Sequence, residues 1–328
     1  MGYVAGESIL DDEFNAFVGS TTNGFEGINH VMGTGTANLG LGLTGTVATT
    51  NAGATVQASQ WNALFTGMDN VQNHTNVSAL ASTTARSAGN TIAASAQLNT
   101  DLQALVTAVE GGSVSATALT EGSELQSSVS SSVWSGSHIV EHSFTFDGGD
   151  EARYFFNAGG KIRVKITNAA ANSTSKDTSM SGLITSMGNF DLGATVCARA
   201  GSGDTLTTDG SALGYFDMTT SYQTLIQVTE SAGSYTSNYI RIEAKCGAGA
   251  HADARGNTGN VVTVKTSLVD ADGTDTLYTS GNLSSVNVNA EQIGITDIAC
   301  HTVNPTTAQG LAQVYTIASS AVVSNTTA

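Results

Sequence analysis

Apolar and polar positions alternate along the chain from residue 136 onward, which is the spacing of half-buried β-strands. The first alternating run places five side chains on one face: His138, Val140, His142, Phe144 and Phe146. Turns rich in glycine and aspartate separate the later alternating runs, which occupy residues 161–166, 224–228, 239–246, 261–268, 286–288 and 314–317. Many short strands joined by such turns predict a mainly antiparallel β-sandwich of the jelly-roll-like type.

Before residue 110 the apolar residues recur at helical spacing instead. A first helix is predicted to begin at Ser8, to end at Gly19 and to bury Ile9, Leu10, Phe14 and Phe17. A second, capped by Thr55 or Ser59, has the apolar face Trp61, Leu64, Phe65, Met68 and Val71. A third carries Leu98, Leu102, Leu105 and Val109 at steps of four, three and four, which is the spacing of a short coiled-coil seam.

The two longer apolar faces have two interpretations. The helices can pack within their own domain, or they can present a surface on which copies of the chain associate. Eight residues are candidates for such an assembly face: Trp61, Leu64, Phe65, Met68, Leu98, Leu102, Leu105 and Val109.

A hairpin is predicted between residues 153–156 and 161–166, because the four residues between them are typical of a tight turn. Asn157, Gly159 and Gly160 would form this structural hairpin. Its second strand points Ile162, Val164 and Ile166 to one face and the basic residues Lys161, Arg163 and Lys165 to the other. The basic face is either an ordinary solvated face or a surface for an acidic neighbouring subunit.

Together these patterns predict an α+β chain of three regions. Residues 1–76 would form an N-terminal attachment region of helix and loop, in which the Gly-rich stretch 24–53 packs on other parts of the chain. Residues 77–135, rich in Ala, Ser and Thr, would form a helical region ending in a linker, and residues 136–328 the β-sandwich.

Composition narrows the classes of function. Charged residues make up 12% of the chain and its net charge is −16, so binding to nucleic acid or to an anionic membrane surface is not expected. No segment approaches the roughly 20 apolar residues that insert in a membrane. Three widely spaced cysteines, Cys197, Cys246 and Cys300, indicate a reduced folding compartment rather than a disulfide framework or a zinc site.

Three short motifs invite chemical interpretations that their contexts do not support. Residues 40–45 match GxGxxG, but no strand–helix unit surrounds them. Residues 138–142 match HxxEH, which needs a helix, and on the predicted strand the two histidines lie about 13 Å apart. The acidic turn 270–275 lacks the glycine and glutamate positions of a calcium loop, so it favours a solvated turn. We therefore expect no enzyme activity, no cofactor and no metal.

Two parts of the sequence resemble a known family. Residues 151–166, EARYFFNAGGKIRVKI, resemble a recurrent element of virion structural proteins from tailed bacteriophages, which are commonly described as tail fibres. Gly33-Thr34-Gly35, Gly40-Leu41-Gly42 and the segment 60–64 resemble the N-terminal part of the same proteins, although Leu41 and Leu43 depart from their pattern. The resemblance implies a location in the virion and no active site.

The resulting expectation is a non-enzymatic structural protein, made in the host cytoplasm and built into the viral tail as a fibre, baseplate or tail-tip subunit. Its expected partners are other virion proteins and copies of itself in a homo-oligomer, as a trimer or a higher ring. One alternative is a receptor- or carbohydrate-binding module for a host glycan or receptor, and another is a capsid decoration or head-fibre protein. For the glycan module the candidate stacking rings are Tyr215, Phe216, Tyr222, Tyr235 and Tyr239.

Overall fold

The fold is described from a computed structural model. It describes residues 9–19, 27–33, 35, 39–43, 47–90, 95–129, 134, 136–168, 175–233, 235–247, 259–271, 275–278, 285–288, 296–305 and 317–327. The helices are α1 (Asp11–Gly19), α2 (Ile28–Met32), α3 (Ala58–Thr75), α4 (Ser95–Glu110), α5 (Gly149–Asn157) and α6 (Ser175–Met187).

The strands are β1 (Leu119–Val129), β2 (Ser137–Phe146), β3 (Lys161–Asn168), β4 (Phe190–Leu192), β5 (Cys197–Arg199), β6 (Thr205–Asp209), β7 (Gln223–Thr229), β8 (Tyr239–Cys246), β9 (Val261–Val269), β10 (Asp275–Tyr278), β11 (Ser285–Val288), β12 (Thr296–Pro305) and β13 (Ile317–Thr327). One sheet has the order β1-β12-β3-β4-β5 and a second has the order β13-β2-β9-β8-β7-β6. Strands β10 and β11 pair separately. Neighbouring strands in all three sheets are antiparallel.

The two large sheets enclose one hydrophobic core. Alternate residues of β2 and β3 are buried, and they meet apolar side chains from β7, β8, β9 and β12. This confirms the α+β fold with a sandwich-like arrangement of antiparallel sheets. Strands β2, β3, β7, β8 and β9 coincide with predicted alternating runs. Burial alternates along β2, β3 and β8, whereas β9 is buried on both faces over most of its length.

Helices α1 to α4 enclose a second core. The ring of Phe14 on α1 meets the ring of Trp61 on α3 edge-on, with 5.1 Å between their centroids. Leu39 and Leu41 from the Gly-rich stretch are buried in the same core, as predicted. The predicted face of the first helix is wrong at Leu10, whose side chain is 57% exposed. Helix α3 begins after Gln57 rather than at Thr55 or Ser59.

The candidate assembly face lies inside this helical core, which corrects its assignment. None of its eight members is more than 3% exposed, because α3 and α4 turn these faces toward each other and toward α1 and α2: Trp61, Leu64, Phe65, Met68, Leu98, Leu102, Leu105 and Val109. Side chains that their own chain already covers cannot also dock a second copy. The alternative interpretation, packing within one domain, describes these helices.

The predicted hairpin at residues 153–166 is also wrong. Its first half is helix α5, in which Ala152, Phe155 and Phe156 are buried at helical spacing, and Asn157 is the last helical residue. Gly159 and Gly160 connect this helix to β3. Gly159 has a φ of 86°, and a Cβ on Gly160 would lie 2.5 Å from the carbonyl oxygen of Phe155, so both positions require glycine.

The boundaries expected at residues 76 and 135 do not separate the cores. Helix α4 shares the helical core with α3, which lies before residue 76. Strand β1 pairs with β12 and so belongs to the sandwich, although the sequence predicted that residues 77–135 form a helical region ending in a linker. Residues 130–133 lie outside the described part of the chain.

Candidate functional site

Helix α5 joins the two cores, and its polar side chains hold the loop at residues 39–43. Arg153 Nη1 donates a hydrogen bond to the carbonyl oxygen of Leu39 at 2.6 Å, and its Nε and Nη2 donate to Asp150 Oδ1 at 3.1 and 3.0 Å. Asn157 Nδ2 donates to the carbonyl oxygens of Leu39 and Gly40 at 3.2 and 3.1 Å. The Arg153 side chain is 3% exposed, so this is a buried cation at the junction of two cores.

The junction also explains the GxGxxG match at residues 40–45. Gly42 has a φ of 73°, and a Cβ there would lie 2.6 Å from the ring of Tyr154 on α5. The glycine therefore allows the loop to approach the helix closely. Residues 44–46 lie outside the described part of the chain, and Gly42 has a packing role.

A third contact at the junction comes from the end of α3. His74 Nε2 lies 3.0 Å from the carbonyl oxygen of Ala158, and because a carbonyl only accepts, the ring nitrogen donates. Burial lowers the pKa of His74 below its usual value. Arg153, Asn157 and His74 were not singled out from the sequence as junction residues, because each bonds to backbone far away along the chain.

The cysteine thiols are poor nucleophiles in this structure. Cys197, Cys246 and Cys300 are free and buried. Burial raises the pKa of Cys197 to about 11 and that of Cys246 to about 12, and it raises the pKa of Cys300 further. Since the thiolate is the reactive form, these residues act as small core side chains near neutral pH.

The HxxEH histidines lie on strand β2, as predicted, and both side chains are fully buried. His138 Nε2 is 3.0 Å from Asn325 Oδ1 on β13. His142 faces Val264 and Val322 in the register, and neither of its ring nitrogens has a hydrogen-bond partner. Burial lowers its pKa to about 4. Within the described residues, no three His, Cys, Asp or Glu side chains come together as a metal site would require.

The buried, neutral His142 predicts a loss of stability in mild acid. The unfolded chain binds a proton on this residue near pH 6.5, whereas the folded chain does so only near pH 4. Stability therefore falls as the pH drops through this window, by about 3 kcal/mol at its lower end. Urea unfolding at pH 7 and pH 4.5 measures this change.

His142→Leu removes one titrating group from an apolar site and should reduce the pH dependence of unfolding, leaving the contributions of His74 and His138, whose pKa values burial also lowers. Phe144→Leu, at a buried position on the same strand that carries no titrating group, is the matched control and should keep the slope of the parent chain. An unchanged slope in His142→Leu would contradict the assignment.

The acidic turn at residues 270–275 begins with a carboxylate that is already neutralised. Lys176 Nζ on α6 lies 3.1 and 3.0 Å from the two carboxylate oxygens of Asp270, and both side chains are 1% exposed. Residues 272–274 lie outside the described part of the chain. Asp270 therefore works as half of a buried ion pair, and the turn loses its first carboxylate as a calcium ligand.

The predicted basic face of β3 is paired with acids of its own chain. Arg163 Nε and Nη2 bind the Asp191 carboxylate of β4 at 2.6 and 2.8 Å, and Nη1 binds Glu121 of β1 at 2.7 Å. Lys165 also contacts Glu121, and Lys161 lies 3.7 Å from Asp191. The contact with Lys165 is the main cause that lowers the pKa of Glu121. This network links three strands of one sheet. Each of the three basic residues of β3 therefore has an acidic partner in its own chain.

The other sheet carries an aromatic and charged cluster on its outer face. The Tyr222 ring lies 4.3 Å from both Lys245 Nζ and Lys265 Nζ, and Lys265 also binds Glu243 at 2.6 Å. Arg241 lies 5.5 Å from the ring of Tyr239. Of the five candidate stacking rings, only these two tyrosines are partly exposed, whereas three are buried: Tyr215, Phe216 and Tyr235.

No protein-family model, curated protein or solved structure matches this chain. Within the described residues, no helix has both the length and the apolar character needed to cross a membrane. The arrangement described above comprises a buried polar junction, two ion-paired sheet faces and a partly exposed pair of tyrosines.

Proposed function

We propose that this chain is a non-enzymatic structural component of a tailed-phage virion, associated with the tail as a fibre, baseplate or tail-tip subunit. It acts by self-assembly and by docking to neighbouring virion proteins. The observation that carries the proposal is the position of the segment with the phage resemblance. Residues 151–166 span most of α5, the connection to β3 and the start of that strand, which together join the helical core to the sandwich.

The reactive side chains also support a structural role. The three thiols are buried with raised pKa values, His142 is buried in apolar surroundings, and the Asp270 carboxylate is neutralised by Lys176. A catalytic group needs contact with substrate and a pKa near the working pH. Burial keeps these side chains from contact with a substrate and shifts the pKa values of the thiols and of His142 away from neutral pH. Each of these residues contributes to packing instead.

The proposed location is the virion, after synthesis in the bacterial cytoplasm. The proposed partners are other virion proteins and further copies of this chain, in a trimer or a larger ring. Nucleic acid is not a proposed partner, because a net charge of −16 repels phosphates, and membrane insertion is not proposed either.

A second candidate function is recognition of a host glycan or receptor, and one observation favours it. Tyr222 and Tyr239 lie on the same outer sheet face with Arg241, Glu243 and Lys265. Partly exposed aromatic rings beside hydrogen-bonding charges suit the apolar faces and hydroxyl groups of a sugar. This face would then meet the host while the helical core attaches to the particle.

The proposed virion role can be tested on purified particles of a phage whose genome encodes this chain. We expect mass spectrometry to detect the chain at many copies per particle, and antibodies against its β-sandwich to label the tail in electron micrographs. Labelling confined to the host-facing tip would favour receptor recognition, and labelling over the head would favour a capsid decoration or head-fibre protein. Complete absence from particles that contain the known head and tail proteins would refute the structural proposal.

A further inference from the structure

The ion pair between Lys176 and Asp270 differs from the ion pairs on the sheet faces in its isolation from solvent. Both of its side chains are 1% exposed, whereas the ion pairs on the outer faces of β3 and β8 involve side chains that are 12–38% exposed. Taking two charges out of water costs free energy that their attraction often does not offset. A reaction that removes both charges is therefore favoured at this place.

The two side chains are held in position for such a reaction. Lys176 Nζ lies 3.1 and 3.0 Å from the two carboxylate oxygens of Asp270, so it faces the Cγ carbon that carries them. The backbone around this carboxylate is fixed on both sides. Asp270 N donates to the carbonyl oxygen of Gly136 at 2.9 Å, and Ala271 N donates to Asn238 Oδ1 at 2.8 Å. Groups that are well oriented and about 3–3.5 Å apart can reach effective molarities of about 10⁵–10⁸ M.

We propose that Lys176 and Asp270 condense to an amide that links the start of α6 covalently to the residue after β9. In the buried site the ammonium group transfers one proton to the carboxylate, which gives a neutral amine and a carboxylic acid. Nζ then attacks Cγ: the Nζ–Cγ bond forms, one Cγ–Oδ bond breaks, and the departing oxygen leaves as water. Two of the three ammonium protons leave with that water and the third stays on the amide nitrogen, so atoms and charge balance without a co-reactant.

The ion pair is the reactant of this step. Only the neutral form of the pair reacts, so a freshly folded chain holds two separate side chains and the link accumulates afterwards. The product is an uncharged amide, which is less costly to bury than two ions. Exclusion of water from the site also disfavours hydrolysis of the new bond.

The link makes the fold resistant to unfolding and to force. Lys176 and Asp270 are 94 positions apart, and the segment between them includes most of α6 and the strands β4 to β9. A covalent bond that closes such a long loop restricts the unfolded chain far more than the folded one. The inference is independent of the proposed function, although resistance to force suits a subunit of a particle.

Intact-mass spectrometry of the full chain, followed with time after folding at pH 7, tests the inference. We expect a form lighter by one water molecule to accumulate, and digestion of this form to yield a branched peptide that joins the segments around Lys176 and Asp270. The double variant Lys176→Met with Asp270→Leu should keep its full mass. Lys161→Met is the matched control, because it removes a 38% exposed lysine that lies 3.7 Å from Asp191, and it should lose water as the parent chain does.

Loss of water elsewhere in the chain is distinguished by its chemistry. An aspartate that precedes glycine, such as Asp209 before Gly210, can close to a succinimide with loss of water, but hydroxylamine opens a succinimide and leaves an amide link intact. The inference is overturned if the parent chain keeps its full mass after prolonged incubation, or if its water loss is sensitive to hydroxylamine or persists in the double variant. None of these results bears on the virion proposal, which is tested separately on particles.

Discussion

Replacing Lys176 with methionine is expected to lower the free energy of unfolding by about 3–5 kcal/mol, the usual cost of leaving one partner of a buried ion pair alone. Both carboxylate oxygens of Asp270 lie within 3.1 Å of Lys176 Nζ, and neither side chain has appreciable contact with solvent. Without the ammonium group, Asp270 must remain as an uncompensated buried charge or take up a proton, and both outcomes cost stability. Urea unfolding at pH 7 measures the loss.

Lys161→Met is the matched control for this prediction. Lys161 is 38% exposed and lies 3.7 Å from Asp191, so its ion pair is screened by solvent and its removal should change stability by less than about 1 kcal/mol. A double variant, Lys176→Met with Asp270→Leu, should recover much of the loss because no charge stays buried. If Lys176→Met cost no more than Lys161→Met, the ion pair would not have the role assigned to it.

The sequence predicted the strands well because burial on one face leaves a period of two. Strands β2, β3 and β8 have such patterns, and the structure confirms them. The error at α5 has a physical cause: Tyr154, Phe155 and Phe156 are residues that strands prefer, and they stand before two glycines. The burial of Ala152, Phe155 and Phe156 against the sandwich outweighed that preference.

The polar contacts that organise the molecule could not be predicted from the sequence. Lys176 and Asp270 are 94 positions apart, and Arg153 is 114 positions from the carbonyl that it binds. No local spacing encodes such pairs, because they depend on how the chain brings distant elements together. The basic residues of β3 were correctly assigned to one face, but their acids on β1 and β4 could not be identified without the sheet order.

The apolar residues of α4 have coiled-coil spacing, but this spacing does not distinguish a contact between chains from packing within one chain. Leu98, Leu102 and Leu105 have the spacing of an intermolecular contact, yet α2 and α3 pack against α4 and these side chains are buried.

Replacing Arg153 with alanine is expected to lower the free energy of unfolding by about 3 kcal/mol and to uncouple the two cores. The guanidinium bonds the carbonyl oxygen of Leu39 and the carboxylate of Asp150 from a buried position, and its centre lies 4.8 Å from the ring of Tyr154. The variant removes a charge-assisted hydrogen bond, leaves the Leu39 carbonyl without this donor and opens a cavity beside α5. Arg153→Lys should recover only part of the loss, because an ammonium lacks the forked geometry.

Hydrogen exchange followed by mass spectrometry separates this junction role from a general loss of stability. We expect the amides of α3 and α4 to exchange faster in Arg153→Ala while those of β8 and β9 keep their protection, because the helical core loses its attachment and the sandwich retains its own core. Arg241→Ala, a surface arginine on β8 whose side chain is 34% exposed, should leave both regions unchanged. Equal acceleration in the helices and in the sandwich strands would contradict the junction role, since it would mean that the two cores open as one unit.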